Sequence, residues 1–155
     1  MKRGLRSEWT LSRMNDDILI LALGSNLGDR ESYIRQAVAH LERRFGPVVR
    51  ISPMLETQAI GFEGPAFLDA LAVFHCTEDP LTVLEICKET ERHMGRTDAP
   101  EYDSDGRRIY HDRIIDIDIL LYGERKVGTP VLTIPHPALE TRPFIGELLL
   151  TLRPL

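Results

Sequence analysis

Hydrophobic and polar positions along this chain follow two different periods. Four segments are apolar throughout or have strand-like composition, which predicts strands. They are Ile18–Leu23, an interrupted segment over Val48–Ser52 and Leu55–Thr57, Phe67–Cys76, and Ile114–Tyr122. The first is continuously apolar, as expected of a strand that is buried on both faces.

Two other segments repeat apolar residues at helical spacing. One begins after Asp29, whose side chain can cap a helix, and continues to Phe45. The other begins at Pro80, a favoured first helical residue, and ends before Gly95. The order strand, helix, strand, strand, helix, strand predicts a ferredoxin-like α+β two-layer sandwich, with a mostly antiparallel sheet and both helices on one face. A final short helix is predicted over Phe144–Thr151.

Two segments show neither period. Met1–Asn15 mixes charged residues with Ser and Trp and is predicted to be a flexible extension, so a single folded domain would span residues 16–155. Thr97–Asp112 contains four Asp residues, Glu101 and an Arg pair. Long loops of this kind are usually functional or disordered, so this segment is a candidate lid.

Composition and charge narrow the function class. The net charge of −5 disfavours a broad nucleic-acid surface but permits a local basic pocket for a small anion. Cys76 and Cys87 show no metal-binding spacing, which favours a reducing compartment. No apolar run approaches the roughly 20 residues that a membrane-spanning helix needs, and no signal peptide is recognisable. We therefore expect a cytoplasmic protein without nucleic-acid or membrane partners, and small anionic ligands stay open. We also expect a monomer that acts on small molecules.

Two carboxylates interrupt the last predicted strand. Asp116 and Asp118 are two residues apart, so they share one strand face about 7 Å apart. The opposite face is predicted to carry the apolar side chains of Ile115, Ile117, Ile119 and Leu121. The two carboxylates repel each other unless a cation lies between them, and Mg²⁺ suits this arrangement because water and substrate phosphates complete its ligands. An exposed acidic strand face is the alternative, and the pattern alone leaves it open.

Four arginines flank this acidic pair. Arg96 ends the second predicted helix, Arg107 and Arg108 lie in the candidate lid, and Arg113 precedes Asp116. A guanidinium group matches phosphate oxygens and stabilises charge on a transferring phosphoryl group. Carboxylates together with arginines indicate a metal–nucleotide site, for which Arg113 and Arg96 are the first candidates. A surface ion network is the alternative for the two lid arginines.

Glycine, histidine and aromatic residues are further candidates for the binding site, and each could instead have a purely structural role. Gly24-Ser-Asn-Leu-Gly28 could present backbone donors or form a tight turn, and it is neither a Walker A nor a dinucleotide fingerprint. His136, between two prolines, could donate to a phosphate or hold a loop carbonyl. Phe67 and Phe144 could stack on a flat heterocycle or simply fill the core. Asp69 shares a strand face with Phe67 and could pair with donors on a heterocycle edge.

Together these motifs resemble the 6-hydroxymethyl-7,8-dihydropterin pyrophosphokinase family over nearly all of Ile18–Leu149. The matching motifs are Leu23-Gly-Ser-Asn-Leu-Gly28, Phe67-Leu-Asp-Ala-Leu71, Glu91 with Gly95-Arg96, Asp112-Arg-Ile-Ile-Asp-Ile-Asp-Ile-Leu120, Ile134-Pro-His-Pro137 and Arg142-Pro-Phe144. The resemblance implies a ferredoxin-like fold that transfers diphosphate from ATP to the pterin hydroxymethyl oxygen and releases AMP, in folate biosynthesis.

The resemblance also implies a role for individual residues. Asp116 and Asp118 would ligate two Mg²⁺ ions, and Arg96 and Arg113 would act with them in catalysis. The nucleotide contacts would come from Glu91, Arg96, Tyr110, Arg113, Ile119, Thr133, His136 and Arg142. The pterin contacts would come from Thr57, Ile60, Phe67, Asp69 and Phe144.

This chain departs from the family pattern in three places. Asp69 stands where the family usually has Asn, and an ionised carboxylate accepts hydrogen bonds but cannot donate them. Tyr110-His-Asp-Arg113 replaces the common Trp-Gly-Pro-Arg, after a longer and more acidic lid. Gln58 and Ala59 replace prolines. We therefore expect pterin recognition and nucleotide closure to differ most from the family.

Three rival functions are compared with this prediction. A regulatory ligand-binding domain on the same fold would not need paired metal carboxylates. An RNA-binding module would need a basic sheet face, whereas the last strand carries two acids. A metal-dependent phosphoesterase is chemically closest, because carboxylates and arginines also serve hydrolysis.

Overall fold

The computed structural model describes residues 17–58, 64–95, 101–109 and 114–154. The strands are β1 (Ile18–Ser25), β2 (Arg50–Ile51), β3 (Leu55–Thr57), β4 (Phe67–His75), β5 (Glu101–Tyr102), β6 (Arg108–Ile109), β7 (Asp116–Tyr122), β8 (Val127–Gly128) and β9 (Thr133–Ile134). The helices are α1 (Arg30–Phe45), α2 (Pro80–His93), α3 (Ala138–Thr141) and α4 (Pro143–Thr151). The predicted extension over Met1–Asn15 lies outside the described residues.

The central sheet has the order β2–β4–β1–β7, and β3 also pairs with β4. All of these strand pairs are antiparallel. β2 and β3 together take the place of the one interrupted strand that the sequence predicts. This order, with α1 and α2 as the two helical connections, is that of a ferredoxin-like sandwich, so the predicted fold class is confirmed.

The two predicted long helices cover one face of the sheet. The Asp29 carboxylate accepts a hydrogen bond from the backbone N–H of Ser32 at 3.2 Å, which caps α1. Asp79 caps α2 in the same way through Thr82. The apolar side chains of both helices pack on alternate residues of β1 and β4, among them Leu19, Leu21, Leu23, Ala70, Ala72 and Phe74. Within the described residues, no helix is long and apolar enough to cross a membrane.

Helix α4 covers part of the opposite face. Ile145, Leu148 and Leu149 of α4 pack on a second set of sheet residues that includes Ile20 and Val73. The sequence predicted this helix but not its position. Because α4 begins at Pro143, its first turn stands at the end of the sheet where β1 finishes and β7 begins, which makes one wall of the cleft described below.

The predicted position of Leu121 is wrong. The register between β1 and β7 shifts at one point, so that Ile20 pairs with Leu121 but Leu21 pairs with Ile119. An extra residue of this kind breaks the period of two. Leu121 therefore packs with Leu120 in the cluster under α4, away from Ile119. Asp116 and Asp118 precede the irregularity and are unaffected by it.

The candidate lid contains a short hairpin in its described part. β5 and β6 pair with each other and with no strand of the central sheet among the described residues. The Asp103 carboxylate accepts the backbone N–H groups of Asp105 and Arg107 at 2.9 and 3.0 Å, which closes the turn. Strands of two residues are too short to show a period, so the sequence predicted only a loop here.

Candidate active site

Three neighbouring strands bring three carboxylates onto one face of the sheet. Gly24 of β1 pairs with Asp69 of β4 on one side and with Asp116 of β7 on the other, and Ala22 pairs with Asp118. Because side chains alternate along a strand, these three acids face the side that carries α4. At the start of α4, Arg142 adds a guanidinium group to the resulting cleft and Phe144 adds an aromatic ring. The predicted site residues in its wall are Asp69, Asp116, Asp118, Arg142 and Phe144.

Gly24 forms the floor of this cleft. A Cβ atom on residue 24 would stand 2.7 Å from Oδ1 of Asp69 and 3.4 Å from Cδ1 of Phe67. A separation below 3.0 Å would force the carboxylate to move. A side chain at residue 24 would therefore displace the Asp69 carboxylate, and the predicted pterin residues Phe67 and Asp69 both approach the backbone of β1 at this point.

Asp69 is held by a hydrogen bond from the neighbouring strand. The Thr57 hydroxyl donates to Oδ2 of Asp69, in a contact next to the β3–β4 pairs. Burial raises the pKa of the Asp69 carboxyl to about 6, against the opposing effects of the Thr57 hydrogen bond and the Arg142 charge. The nearby Asp116 carboxylate raises it further. Asp69 thus changes charge just below neutral pH.

Asp116 and Asp118 are both partly exposed to the cleft. Two carboxylates on one face, open to solvent on the ligand side, are the oxygen donors that Mg²⁺ uses when substrate phosphates and water supply its other ligands. The residues present therefore fit the predicted metal site, whose occupancy and ion number remain a prediction.

His136 lies beside the acidic pair. Its Nε2 stands 3.8 Å from Oδ1 of Asp118, and its Nδ1 accepts the Ala138 N–H at 2.9 Å. Burial, together with the Arg142 charge, lowers the pKa of His136, which favours the neutral ring. A neutral ring whose Nδ1 accepts carries its proton on Nε2, so the donor points to the cleft.

Glu91 supports the acidic strand from behind. Its carboxylate is only 5% exposed and accepts the backbone N–H of Ile117 at 2.8 Å. Ile117 lies between Asp116 and Asp118, so Glu91 fixes the strand segment that carries both. The sequence predicted Glu91 as a nucleotide contact, and this contact stays a prediction. The hydrogen bond from the Ile117 N–H to Glu91 was not predicted, because no local sequence pattern indicates a side chain that binds a distant strand.

The other predicted site residues fall into three groups. Thr57 and Phe67 are half-buried beside the cleft, as their pairing requires. The Ile119 side chain packs in the core under the two long helices, so only its main chain is available to a ligand, and Thr133 lies exposed on β9. The remaining predicted site residues lie outside the described residues: Ile60, Arg96, Tyr110 and Arg113.

Two cleft residues on the helices were missed. Ala138 and Ile145 line the cleft from α3 and α4. Ala138 closely follows His136, and its N–H bond to the imidazole is the one local feature that could have indicated it. Ile145 was an ordinary core position in the helical pattern, and its place at the cleft depends on how α4 docks.

The fold and the cleft define a ferredoxin-like α+β domain with an acidic cleft at one end of its sheet. The family model described as 7,8-dihydro-6-hydroxymethylpterin-pyrophosphokinase matches residues 20–154. The chain belongs to this family, and the resemblance noted from the motifs is confirmed.

Curated relatives agree with this membership. The chain is 42% identical over 130 residues to the 2-amino-4-hydroxy-6-hydroxymethyldihydropteridine pyrophosphokinase of Porphyromonas gingivalis, covering 83% of this chain and 85% of the relative. It is 35% identical over 133 residues to the protein of the same name in Bacillus subtilis, covering 84% and 74%. A folate synthesis bifunctional protein of Pisum sativum is 34% identical over 131 residues, which are 84% of this chain and 24% of that protein. The predicted pyrophosphokinase activity in folate biosynthesis is thereby confirmed.

Proposed function

We propose that this cleft binds 6-hydroxymethyl-7,8-dihydropterin beside MgATP and that its residues align the pterin hydroxymethyl oxygen with the β-phosphorus of ATP. The bond from that oxygen to the β-phosphorus forms, and the hydroxyl proton passes to water. The bond from the β-phosphorus to the oxygen shared with the α-phosphate breaks, and AMP leaves with that electron pair. The observation that carries the proposal is the convergence of Asp69, Asp116 and Asp118 on the face around Gly24. One acid serves the ring and two serve the phosphates.

The pterin end of the cleft is assigned to Thr57, Phe67, Asp69 and Phe144. The 2-amino group and N3–H of a pterin are adjacent donors, and an ionised carboxylate accepts both at once. Asp69 is the cleft acid beside Phe67, and the Thr57 hydroxyl fixes its orientation. Phe67 and Phe144 supply flat faces on which the ring stacks. Ile60 is proposed to complete this end.

The phosphate end is assigned to Asp116 and Asp118, which would hold two Mg²⁺ ions. Such ions, when bound, would neutralise negative charge on the phosphates. Arg142, which lines the cleft just before α4, would bind and orient phosphate oxygens. The Nε2–H of His136, 3.8 Å from Oδ1 of Asp118, would do the same. Because these side chains already lie close together, they would stabilise developing charge with little rearrangement.

The rest of the nucleotide site is proposed on the family resemblance. Arg96 and Arg113 would neutralise charge on the transferring diphosphate. Glu91, Tyr110, Ile119 and Thr133 would contact the nucleotide. The enzyme would act as a cytoplasmic monomer on these two small substrates.

A test of the proposal is a product assay with purified protein, ATP and Mg²⁺. AMP should form only when the hydroxymethyl pterin is also present, in equal amount to the pterin diphosphate. A metal-dependent phosphoesterase would instead release phosphate from ATP without the pterin. A regulatory ligand-binding domain would retain pterin without releasing AMP. Either of these two results would refute the proposed transfer.

A further inference from the structure

Arg30, the first residue of α1, joins the two strands that border the pterin end of the cleft. Its Nη1 donates to the backbone carbonyl of Ala66 at 3.0 Å, just before β4 begins. Its Nη2 donates to Oε1 of Glu56 on β3 at 2.5 Å. A single guanidinium group therefore contacts the last part of β3 and the entry to β4.

The two contacts adjoin the proposed pterin residues in the chain. Thr57 follows Glu56, Phe67 follows Ala66, and Thr57 and Phe67 are partners in the β3–β4 register. Thr57 in turn holds the Asp69 carboxylate. Loss of either Arg30 contact would therefore allow Thr57 or Phe67 to move, because each is bonded directly to a residue that Arg30 holds.

Asn26 adds a third contact to the same strand entry. Its Nδ2 donates to the Pro65 carbonyl at 3.2 Å, and the side chain is only 1% exposed. The carbonyls of Pro65 and Ala66 are consecutive, and they are held by two side chains from the β1–α1 junction. This gives the Gly24-Ser-Asn-Leu-Gly28 segment a use beyond a tight turn.

We propose that Arg30 is a positioning residue for pterin binding, which acts with Asn26 by fixing the start of β4 against the end of β3. The inference rests on the proposed function, since it assumes that Thr57, Phe67 and Asp69 bind the pterin. Arg30 is not among the residues that line the described cleft. Its effect is the alignment of the stacking ring and of the Asp69 partner.

Arginine suits this role better than lysine. The planar fork offers two donors at a fixed separation, and the Ala66 and Glu56 acceptors use one each. The Glu56 carboxylate is 62% exposed, so the ion pair alone would contribute little to stability. The geometry of the fork, more than the charge, is what links the two strands.

The test compares Arg30→Lys and Arg30→Met with the control Arg35→Met. Arg35 lies on the same helix and forms an exposed ion pair with Glu31 at 3.0 Å, so its removal deletes a similar contact away from the cleft. Pterin Kd is measured in the presence of a non-hydrolysable ATP analogue, the Kd of that analogue is measured separately, and Tm is recorded for each variant.

We expect pterin binding about tenfold weaker in Arg30→Met and only partly restored in Arg30→Lys, with nucleotide Kd unchanged. Glu56→Gln keeps an acceptor for Arg30, so pterin affinity should fall less than threefold. This variant tests the same contact if Arg30→Met does not fold. The inference is overturned if pterin Kd in the Arg30 variants matches the Arg35→Met control. It is also overturned if pterin and nucleotide affinity fall together with Tm, which indicates general destabilisation. A wild-type protein that binds no pterin would refute the proposed function itself.

Discussion

Gly24 and Asp69 are direct partners across β1 and β4, and the absence of a side chain at residue 24 leaves the space that Oδ1 of Asp69 approaches. The same glycine pairs with Asp116 on its other side. Two neighbouring acids with different proposed roles are thus separated by one residue without a side chain. The ring end and the phosphate end of the cleft meet above it.

Gly24→Ala should displace the Asp69 carboxylate and weaken its hydrogen bond from Thr57. We expect a loss of about 1–2 kcal/mol in the free energy of unfolding, as for other overpacked sites, and at least tenfold weaker pterin binding. Denaturant unfolding and pterin titration measure the two effects. The new Cβ atom clashes mainly with Oδ1 of Asp69. In an Asp69→Ala background, Gly24→Ala should therefore lose most of its stability cost.

Gly128→Ala is the matched control, since a Cβ atom at residue 128 would meet nothing within 4 Å. It should leave pterin binding unchanged. Equal pterin affinity in Gly24→Ala and the wild type would show that the close approach to Asp69 has no part in binding.

Asp69 should make pterin binding depend on pH. Its pKa is raised to about 6 by burial, and only the ionised form accepts two hydrogen bonds from the pterin edge. Pterin affinity should therefore rise between about pH 5 and 7, and Asp69→Asn should flatten this part of the profile. Calorimetric titration at several pH values measures the dependence. An identical rise in the Asn variant would exclude Asp69 as its origin.

The same carboxyl should lower the stability of the free protein at neutral pH. Its folded-state pKa lies above the ordinary value of 3.8, so the folded protein binds the proton more tightly than the unfolded chain. Its contribution is favourable at low pH and is lost as pH rises from about 4 to 6. Asp69→Asn, which keeps an acceptor for Thr57, should raise the free energy of unfolding at pH 7.5 by about 1 kcal/mol. A less stable Asn variant at that pH would contradict this.

Glu91→Ala should impair the acidic strand from a position that does not line the described cleft. The Ile117 N–H would lose its buried acceptor, at a cost of about 2 kcal/mol in the free energy of unfolding, and kcat should fall as Asp116 and Asp118 shift. Glu91→Gln keeps an acceptor oxygen and should retain most of the stability. Glu89→Ala, at an exposed position on the same helix, is the control. If Glu91→Gln raises the KM for ATP at full stability, the predicted nucleotide contact is the main role.

Much of the fold was predictable because its signals are local. Asp29 and Pro80 indicate where helices begin. The spacing of Asp116 and Asp118 in an apolar strand indicates that they share one face of it. Leu121 was mispredicted because the irregularity depends on how β1 and β7 pair, which the period within one strand does not contain. The docking of α4 on the second sheet face is a tertiary property of the same kind.

The site divides in the same way. Motifs identified Asp69, Asp116 and Phe144, and the cleft brings all three together. The contacts of Glu91 with Ile117 and of Arg30 with Ala66 join residues 26 and 36 positions apart, so no spacing rule could find them. Sequence reasoning thus reached several groups that line the cleft and missed contacts that hold the strands behind them.

The central claim is that Asp116 and Asp118 form the phosphate end of a diphosphoryl-transfer site. Its most direct test is the rate of pterin-dependent AMP formation by Asp116→Asn. The control is Asp17→Asn, which alters a 49% exposed carboxylate next to the other end of β1. The account predicts a fall of about a thousandfold or more for Asp116→Asn, near-normal turnover for Asp17→Asn, and pterin affinity much less affected in both. Near-normal AMP formation by Asp116→Asn would contradict it.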